Sequence, residues 1–153
     1  MSLLKQMEHV IRRARAEQGF TLLEIIVVVV ILGILAAIVA PQFMGRIEDA
    51  RKIEAQVQIR NFETSLKLYK VDNHVYPTTD QGLDALVNKP STGAEAKNYR
   101  SGGYMSRIPL DPWGNPYIYV SPGTHGDFDL ISLGADGLEG GDEVNADIKN
   151  WEL

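Results

Sequence analysis

The sequence contains no cysteine. Disulfides, thiolate metal sites and cysteine nucleophiles are thereby excluded, although an oxidising compartment is not. It also lacks a basic patch. Fifteen Lys and Arg stand against 20 Asp and Glu, a formal net charge of −5, and no cluster of bases is dense enough to follow a nucleic-acid backbone. The patterns of common enzyme sites are missing as well: there is no G-x-S-x-G, H-E-x-x-H, P-loop or Rossmann glycine motif. His74 and His125 lie in loop-like sequence without a paired Cys or a second nearby His, which argues against a transition-metal site or a catalytic dyad. A glycosidase-type pair of acids needs a cleft, and the acids here sit in a loop without one. No internal repeat or low-complexity segment is found. With 153 residues there is room for one modest domain and its accessories. The chain therefore reads as a protein that is not an enzyme.

What is present is unevenly distributed. Residues 127–153 hold eight acids and one base, Lys149, a net charge of −7, so everything before them is +2. At the other end, Phe20–Phe43 reads FTLLEIIVVVVILGILAAIVAPQF, with Glu24 its one charge. About 20 apolar residues span a bilayer as a helix, and lipid enforces helix even on the β-branched stretch Ile25–Ile31. Arg12, Arg13 and Arg15 precede the run, which places the N-terminus in the cytoplasm and the rest of the chain outside it. The run is longer than a signal-peptide core, and no A-x-A site follows it. An ionisable group in such a span is a functional lead. Glu24 either snorkels to the headgroups from a helix starting near Phe20, or neutralises a cation at similar depth. An α-amine created by a cut just before Phe20 is such a cation.

Beyond the apolar run, residues 45–72 are compatible with a continuing helix. Ala55, Ile59, Phe62, Leu66 and Tyr69 recur at spacings of 4, 3, 4 and 3, an amphipathic stripe that needs a small domain to cover it. Glu48–Lys52 and Glu63–Lys67 are favourable i,i+4 pairs. The helix is expected to stop near Asp72-Asn73, before Pro77. Pro41 and Gly45 predict a bend or local melting at the junction. Thr78-Thr79-Asp80-Gln81 has the form of a capping box and predicts a short helix over 80–88 with Leu83, Leu86 and Val87 buried. Asp111-Pro112-Trp113-Gly114-Asn115-Pro116 is a dense turn signal. Tyr117–Val120 and Phe128–Ser132 read as a hairpin spanning 117–132. A lone hairpin is marginal, so it is expected to pack on the long helix through Tyr117, Tyr119 and Phe128. Trp113 and Trp151 read as packing anchors. The fold class is α+β: a long N-terminal helix, part membrane and part amphipathic, on a small antiparallel sheet.

Residues 133–147, LGADGLEGGDEVNAD, combine four glycines with five acids. Two readings stay open: a solvated acidic loop, or a loop folded around a hard cation that removes the repulsion. Calcium takes six to eight oxygens from carboxylates and carbonyls. The spacing is not that of an EF-hand.

Gly19-Phe20-Thr21-Leu22-Leu23-Glu24 resembles the processing site of type IV pilins and pseudopilins, and Pro41 falls where that family places a helix-kinking proline. Gln18 stands where the family more often has a base. The resemblance implies a leader of residues 1–19, cut after Gly19 by a prepilin peptidase. It further implies N-methylation of Phe20 and an assembly role for Glu24. Tyr76-Pro77-Thr78-Thr79, Asp111-Pro112-Trp113-Gly114, Ser132-Leu133-Gly134-Ala135-Asp136-Gly137 and Asp147-Ile148-Lys149-Asn150-Trp151 narrow the likeness to the major pseudopilins of type II secretion, the general secretion protein G family. That family's members are structural subunits of a pseudopilus. The resemblance implies residues 20–44 as the transmembrane and assembly helix and 45–153 as a periplasmic domain. It also implies a homopolymer that works with minor pseudopilins and an inner-membrane assembly platform to drive export across the outer membrane. A structural Ca²⁺ is implied at 133–147, held by the carbonyls of Leu133 and Val144 and the carboxylates of Asp136 and Asp147. Ala146 replaces a further acid of some relatives, leaving Asp142 and Glu143 as substitutes without support. Lys149 stands where Gly is common and is expected to leave the ion unaffected. The alternative within the superfamily is a type IV pilin for adhesion or motility, but those usually close the C-terminal region with a disulfide, which this chain cannot form.

Overall fold

The structure, a computed structural model, describes residues 19–153, without the side chains of 41–44. Arg12, Arg13, Arg15 and the rest of the expected leader before Gly19 lie outside the described residues. Helix α1 covers Leu22–Asn73. Its start is set by Thr21, whose hydroxyl accepts the Glu24 N–H at 3.2 Å while its carbonyl accepts that of Ile25. The backbone stays helical through Pro41 and Gly45, so the melting expected there does not occur in this structure.

Two compact units divide the chain, one ending at Phe43 and one comprising Met44–Leu153. In the first, every described side chain from Gly19 to Ala40 is exposed. α1 is long and apolar enough to cross a membrane, and the apolar window has no buried share.

The second unit is built on the stripe that the periodicity predicts. Ala55, Ile59, Phe62, Leu66 and Tyr69 are each 0% exposed. The helix ends where expected. His74 follows it with φ +67° and donates its N–H to the Lys70 carbonyl at 2.7 Å, a left-handed cap in the place that glycine usually takes. Asn73 reaches back to the Tyr69 carbonyl and across to the Tyr104 hydroxyl, and its own oxygen accepts the Asn98 N–H. The loop over 98–104 is thereby tied to the end of the helix.

The short helix expected over 80–88 is instead a single 3-10 turn, Leu83–Leu86. Both bonds of the capping box form, Gln81 N–H to Thr78 Oγ1 and Thr78 N–H to Gln81 Oε1. Gly82, however, sits at φ +60°, ψ −167°, which breaks the helical path, and the Gln81 amide is drawn away to the carbonyls of Thr92 and Ala94. Leu83 and Leu86 are buried as expected, but Ala85 takes the buried place expected of Val87.

The sheet has three antiparallel strands in sequence order: β1 Ile118–Val120, β2 Asp129–Ser132 and β3 Ile148–Lys149. The hairpin register pairs Tyr119 with Leu130, and Ser132 of β2 pairs with Ile148 of β3. The third strand was not legible in the sequence. The hairpin packs on α1 through its aromatics. Tyr117 stands edge-on to Phe62 at 5.1 Å and donates its hydroxyl to Gln58 at 2.7 Å. Tyr119 lies 5.9 Å from Phe128 and donates to the Pro77 carbonyl. Burial pushes both phenols up, that of Tyr119 to about 12. Of the two expected helix pairs, Glu63–Lys67 is present at 4.0 Å. Glu48 pairs with Arg51 at 2.8 Å rather than with Lys52, because its other oxygen is held by Trp113.

Candidate functional site: an anchor-helix start and a C-terminal acidic loop

The first candidate site is the segment Gly19–Glu24. Gly19, Phe20 and Thr21 precede the helix, and Phe20 is 76% exposed. The Gly19–Phe20 bond lies outside the helical hydrogen bonding. Glu24 falls in the first turn of α1, where a negative charge is favoured by the unsatisfied N–H groups. Among the described residues its carboxylate has no partner.

The second candidate is the connection between β2 and β3, residues 133–147. Sequence reasoning found this loop but missed that its far end is a strand. Pairing of Ser132 with Ile148 fixes both ends of the loop side by side. The Ala135 N–H donates to the Val144 carbonyl at 3.1 Å, joining the two legs. Gly134 is required there: at φ +65°, a Cβ would meet the Asn145 backbone at 2.9 Å. The Asp136 carboxylate accepts the Leu138 N–H of its own turn, and Asp147 Oδ2 accepts the Gly140 N–H. The structure thus brings Val144 against the Leu133–Ala135 leg and Asp147 against Gly140. Asp136 bonds within its own turn. No group of three His, Cys, Asp or Glu side chains able to hold a metal is found among the described residues.

The donor chemistry nevertheless fits a hard cation. Asp147 is 8% exposed in its side chain, and its Oδ1 is buried with no hydrogen-bond partner. Leaving such an oxygen unmatched is costly, and a cation that prefers oxygen relieves it. A carbonyl has two lone pairs, so the bond from Ala135 leaves Val144 one to offer. Lys149 is not remote from this site: its ammonium lies 3.9 Å from Asp147 Oδ2 and 3.6 Å from Glu152 Oε1.

Behind the loop lies the turn Asp111–Asn115. The buried Asp111 carboxylate accepts the N–H of Trp113 and Asn115 through one oxygen and the Ser132 hydroxyl through the other. The Asn115 amide donates to the Gly134 carbonyl at 3.0 Å. The sequence marked this stretch as a turn but did not reveal that it faces the loop. Of the two tryptophans expected as packing anchors, Trp113 joins the residues packed on the core and Trp151 is not among them. Trp151 stacks on His125 at 3.8 Å.

An exposed apolar helix that runs on into an amphipathic stripe, packed on a small antiparallel sheet, defines the pilin-like class of fold. The family profile for type II secretion system (T2SS) protein G matches residues 42–151, and that for the prokaryotic N-terminal methylation motif matches residues 14–40. The type II secretion system core protein G of Pseudomonas aeruginosa is 55% identical over 138 residues, covering 90% of this chain and 97% of that relative. The protein of the same name from Vibrio cholerae is 56% identical over 142 residues, covering 93% and 97%. The crystal structure of the major pseudopilin from the type 2 secretion system of enterohaemorrhagic Escherichia coli matches with a TM-score of 0.64 at 42% identity, covering 72% of this chain and 94% of that one. The chain belongs to the type II secretion system protein G family.

Proposed function

We propose that the chain is the major subunit of a type II secretion pseudopilus. A prepilin peptidase cuts after Gly19 and the new N-terminus, Phe20, is N-methylated. Residues 20–44 hold the subunit in the inner membrane as a single span, with the N-terminus cytoplasmic and residues 45–153 periplasmic. Subunits then polymerise on an inner-membrane assembly platform, together with minor pseudopilins, into a periplasmic filament that drives export across the outer membrane. The protein performs no catalysis of its own. The match to the protein G family favours this reading over a type IV pilin.

One observation carries the proposal: among the described residues Glu24 is a lone carboxylate in the first turn of an apolar helix that starts just after the Gly19–Phe20 bond. Leaving it unpaired in an apolar filament core costs about 3–5 kcal/mol. The Phe20 amine of a neighbouring subunit supplies the cation. The last loop is ordered by Ca²⁺, held by the Leu133 and Val144 carbonyls and the Asp136 and Asp147 carboxylates. The ion supplies positive charge against the loop's five acids.

The test is the intact mass and N-terminal sequence of protein extracted from membranes, for the wild type and for Glu24→Ala. A chain that starts at Phe20 with one extra methyl is expected from both, with filaments from the wild type alone. An uncut chain in cells with an active peptidase, or normal filaments from Glu24→Ala, contradicts the proposal.

A further inference from the structure

The turn Asp111–Asn115 and the start of the acidic loop form a closed ring of hydrogen bonds. The Ser132 hydroxyl donates to Asp111 Oδ2 at 2.8 Å, and Asp111 Oδ1 accepts the Asn115 N–H at 2.7 Å. The Asn115 side-chain amide donates to the Gly134 carbonyl at 3.0 Å, which returns the path to within two residues of Ser132. The Asn115 carbonyl in turn accepts the Asp111 N–H at 2.8 Å, so the turn is closed on itself. Ser132 is fully buried and Asp111 is 4% exposed. A charged acceptor with three donors in a dry setting is a rigid support.

Leu133 lies inside that ring, between the two residues that the ring holds. Asn115 also borders the next turn of the loop. A Cβ on Gly137, at φ +67°, would come within 3.2 Å of Asn115 Oδ1. One amide group therefore lies against both Gly134 and Gly137, the two glycines that flank Asp136. No other side chain outside residues 133–147 has a described hydrogen bond to this part of the loop.

We infer that Asn115 is a positioning residue for the cation loop: its side-chain amide, carried on a backbone that Asp111 holds through the Asn115 N–H, fixes the Gly134–Gly137 turn and so brings the Leu133 carbonyl and the Asp136 carboxylate to bear on one ion. The inference rests on the proposed Ca²⁺ reading of residues 133–147. Asn115 itself is not a ligand. Removal of groups that orient ligands weakens metal binding by about 10–100-fold in other sites. Five acids close together repel one another, so a loop without this support relaxes outward and must be reassembled each time an ion binds.

The experiment is a calorimetric Ca²⁺ titration of the full chain in detergent, for wild type, Asn115→Ala and Asn115→Asp, with melting of each followed in chelator and in excess Ca²⁺. Asn115→Asp is nearly isosteric and adds a negative charge that by itself attracts the cation, but it cannot donate to the Gly134 carbonyl. Both variants are expected to bind Ca²⁺ at least about tenfold more weakly, and the rise in melting temperature on adding Ca²⁺ shrinks in both. A drop in melting temperature that is the same with and without Ca²⁺, at an unchanged dissociation constant, overturns the inference and makes Asn115 merely structural. Tighter binding by Asn115→Asp also overturns it, since charge then outweighs geometry. Should Asn115→Ala fail to fold in chelator, the Asp variant decides alone. A wild type that binds no Ca²⁺ overturns the Ca²⁺ reading and the inference together. A wild type that binds normally beside unaffected variants overturns the inference only.

Discussion

The indole N–H of Trp113 donates to Glu48 Oε2 at 3.1 Å, joining residues 65 apart in sequence. The other Glu48 oxygen accepts Arg51 at 2.8 Å, so the carboxylate is held from both sides. This bond ties the Asp111–Asn115 turn to the amphipathic part of α1. Trp113→Phe keeps most of the packing area and removes the donor. It is expected to lower stability by about 1 kcal/mol and the melting temperature by about 4 °C, read by circular dichroism. Glu48→Gln keeps an acceptor and is expected to lose less.

Asp129 supplies a pH dependence. Burial alone would raise its pKa, but donors from Thr124 (backbone and hydroxyl) and His125 (backbone and Nδ1) outweigh burial and hold it at about 2. An unfolded aspartate titrates at about 3.9. The folded state therefore binds the proton more weakly, and its stabilisation is complete above about pH 4 and is lost as pH falls toward 2. Asp129→Asn is expected to be less stable than wild type at pH 7 and to show a flatter loss of stability between about pH 4 and pH 2. Urea denaturation across that range measures it, and parallel curves for the two proteins contradict it.

His74 holds a left-handed conformation that a residue with a Cβ adopts at a cost of roughly 1–2 kcal/mol. His74→Gly removes that cost while keeping the capping bond to Lys70. Allowing for the greater freedom of glycine in the unfolded chain, a net gain of about 0.5–1 kcal/mol is expected. A lower melting temperature for His74→Gly means that the imidazole makes contacts worth more than the strain.

Asp136→Ala tests the loop from its exposed side. The variant is expected to melt like wild type in excess chelator and several degrees lower when Ca²⁺ is present. An equal loss in both conditions contradicts a role in cation binding. Millimolar Ca²⁺ is the appropriate range, since extracellular modules bind at about 10⁻⁴–10⁻³ M.

The parts of the fold that the sequence revealed are those with long periodicity. Five residues at 3–4 spacing located the buried face of α1 without error, and Pro77 with the polar pair Asp72-Asn73 located its end. The hairpin was legible because Tyr117, Tyr119 and Phe128 lie between strong turn signals. β3 was not, because two residues carry no alternation; Ile148 becomes a strand residue only by pairing with Ser132. The helix over 80–88 was overestimated for a different reason. A capping box reports a local start, and it formed, but the path after it was set by the left-handed Gly82 and by distant carbonyls competing for Gln81. The acidic loop was visible as composition. Its support by Asp111 and Asn115 was invisible, because the bonds run between segments 19–21 residues apart.

Every described side chain from Gly19 to Ala40 is exposed in the single subunit. The proposed path of the subunit runs from lipid into a filament. The helix leaves one hydrocarbon-like surrounding for another, so the transfer between oil and water largely cancels between the start and end states. Growth of the polymer then resembles partitioning between two solvents of nearly equal polarity. On that proposal its direction is set by what distinguishes those solvents: the close fit of neighbouring helices, the one charge at Glu24, and whatever contacts the folded domain adds.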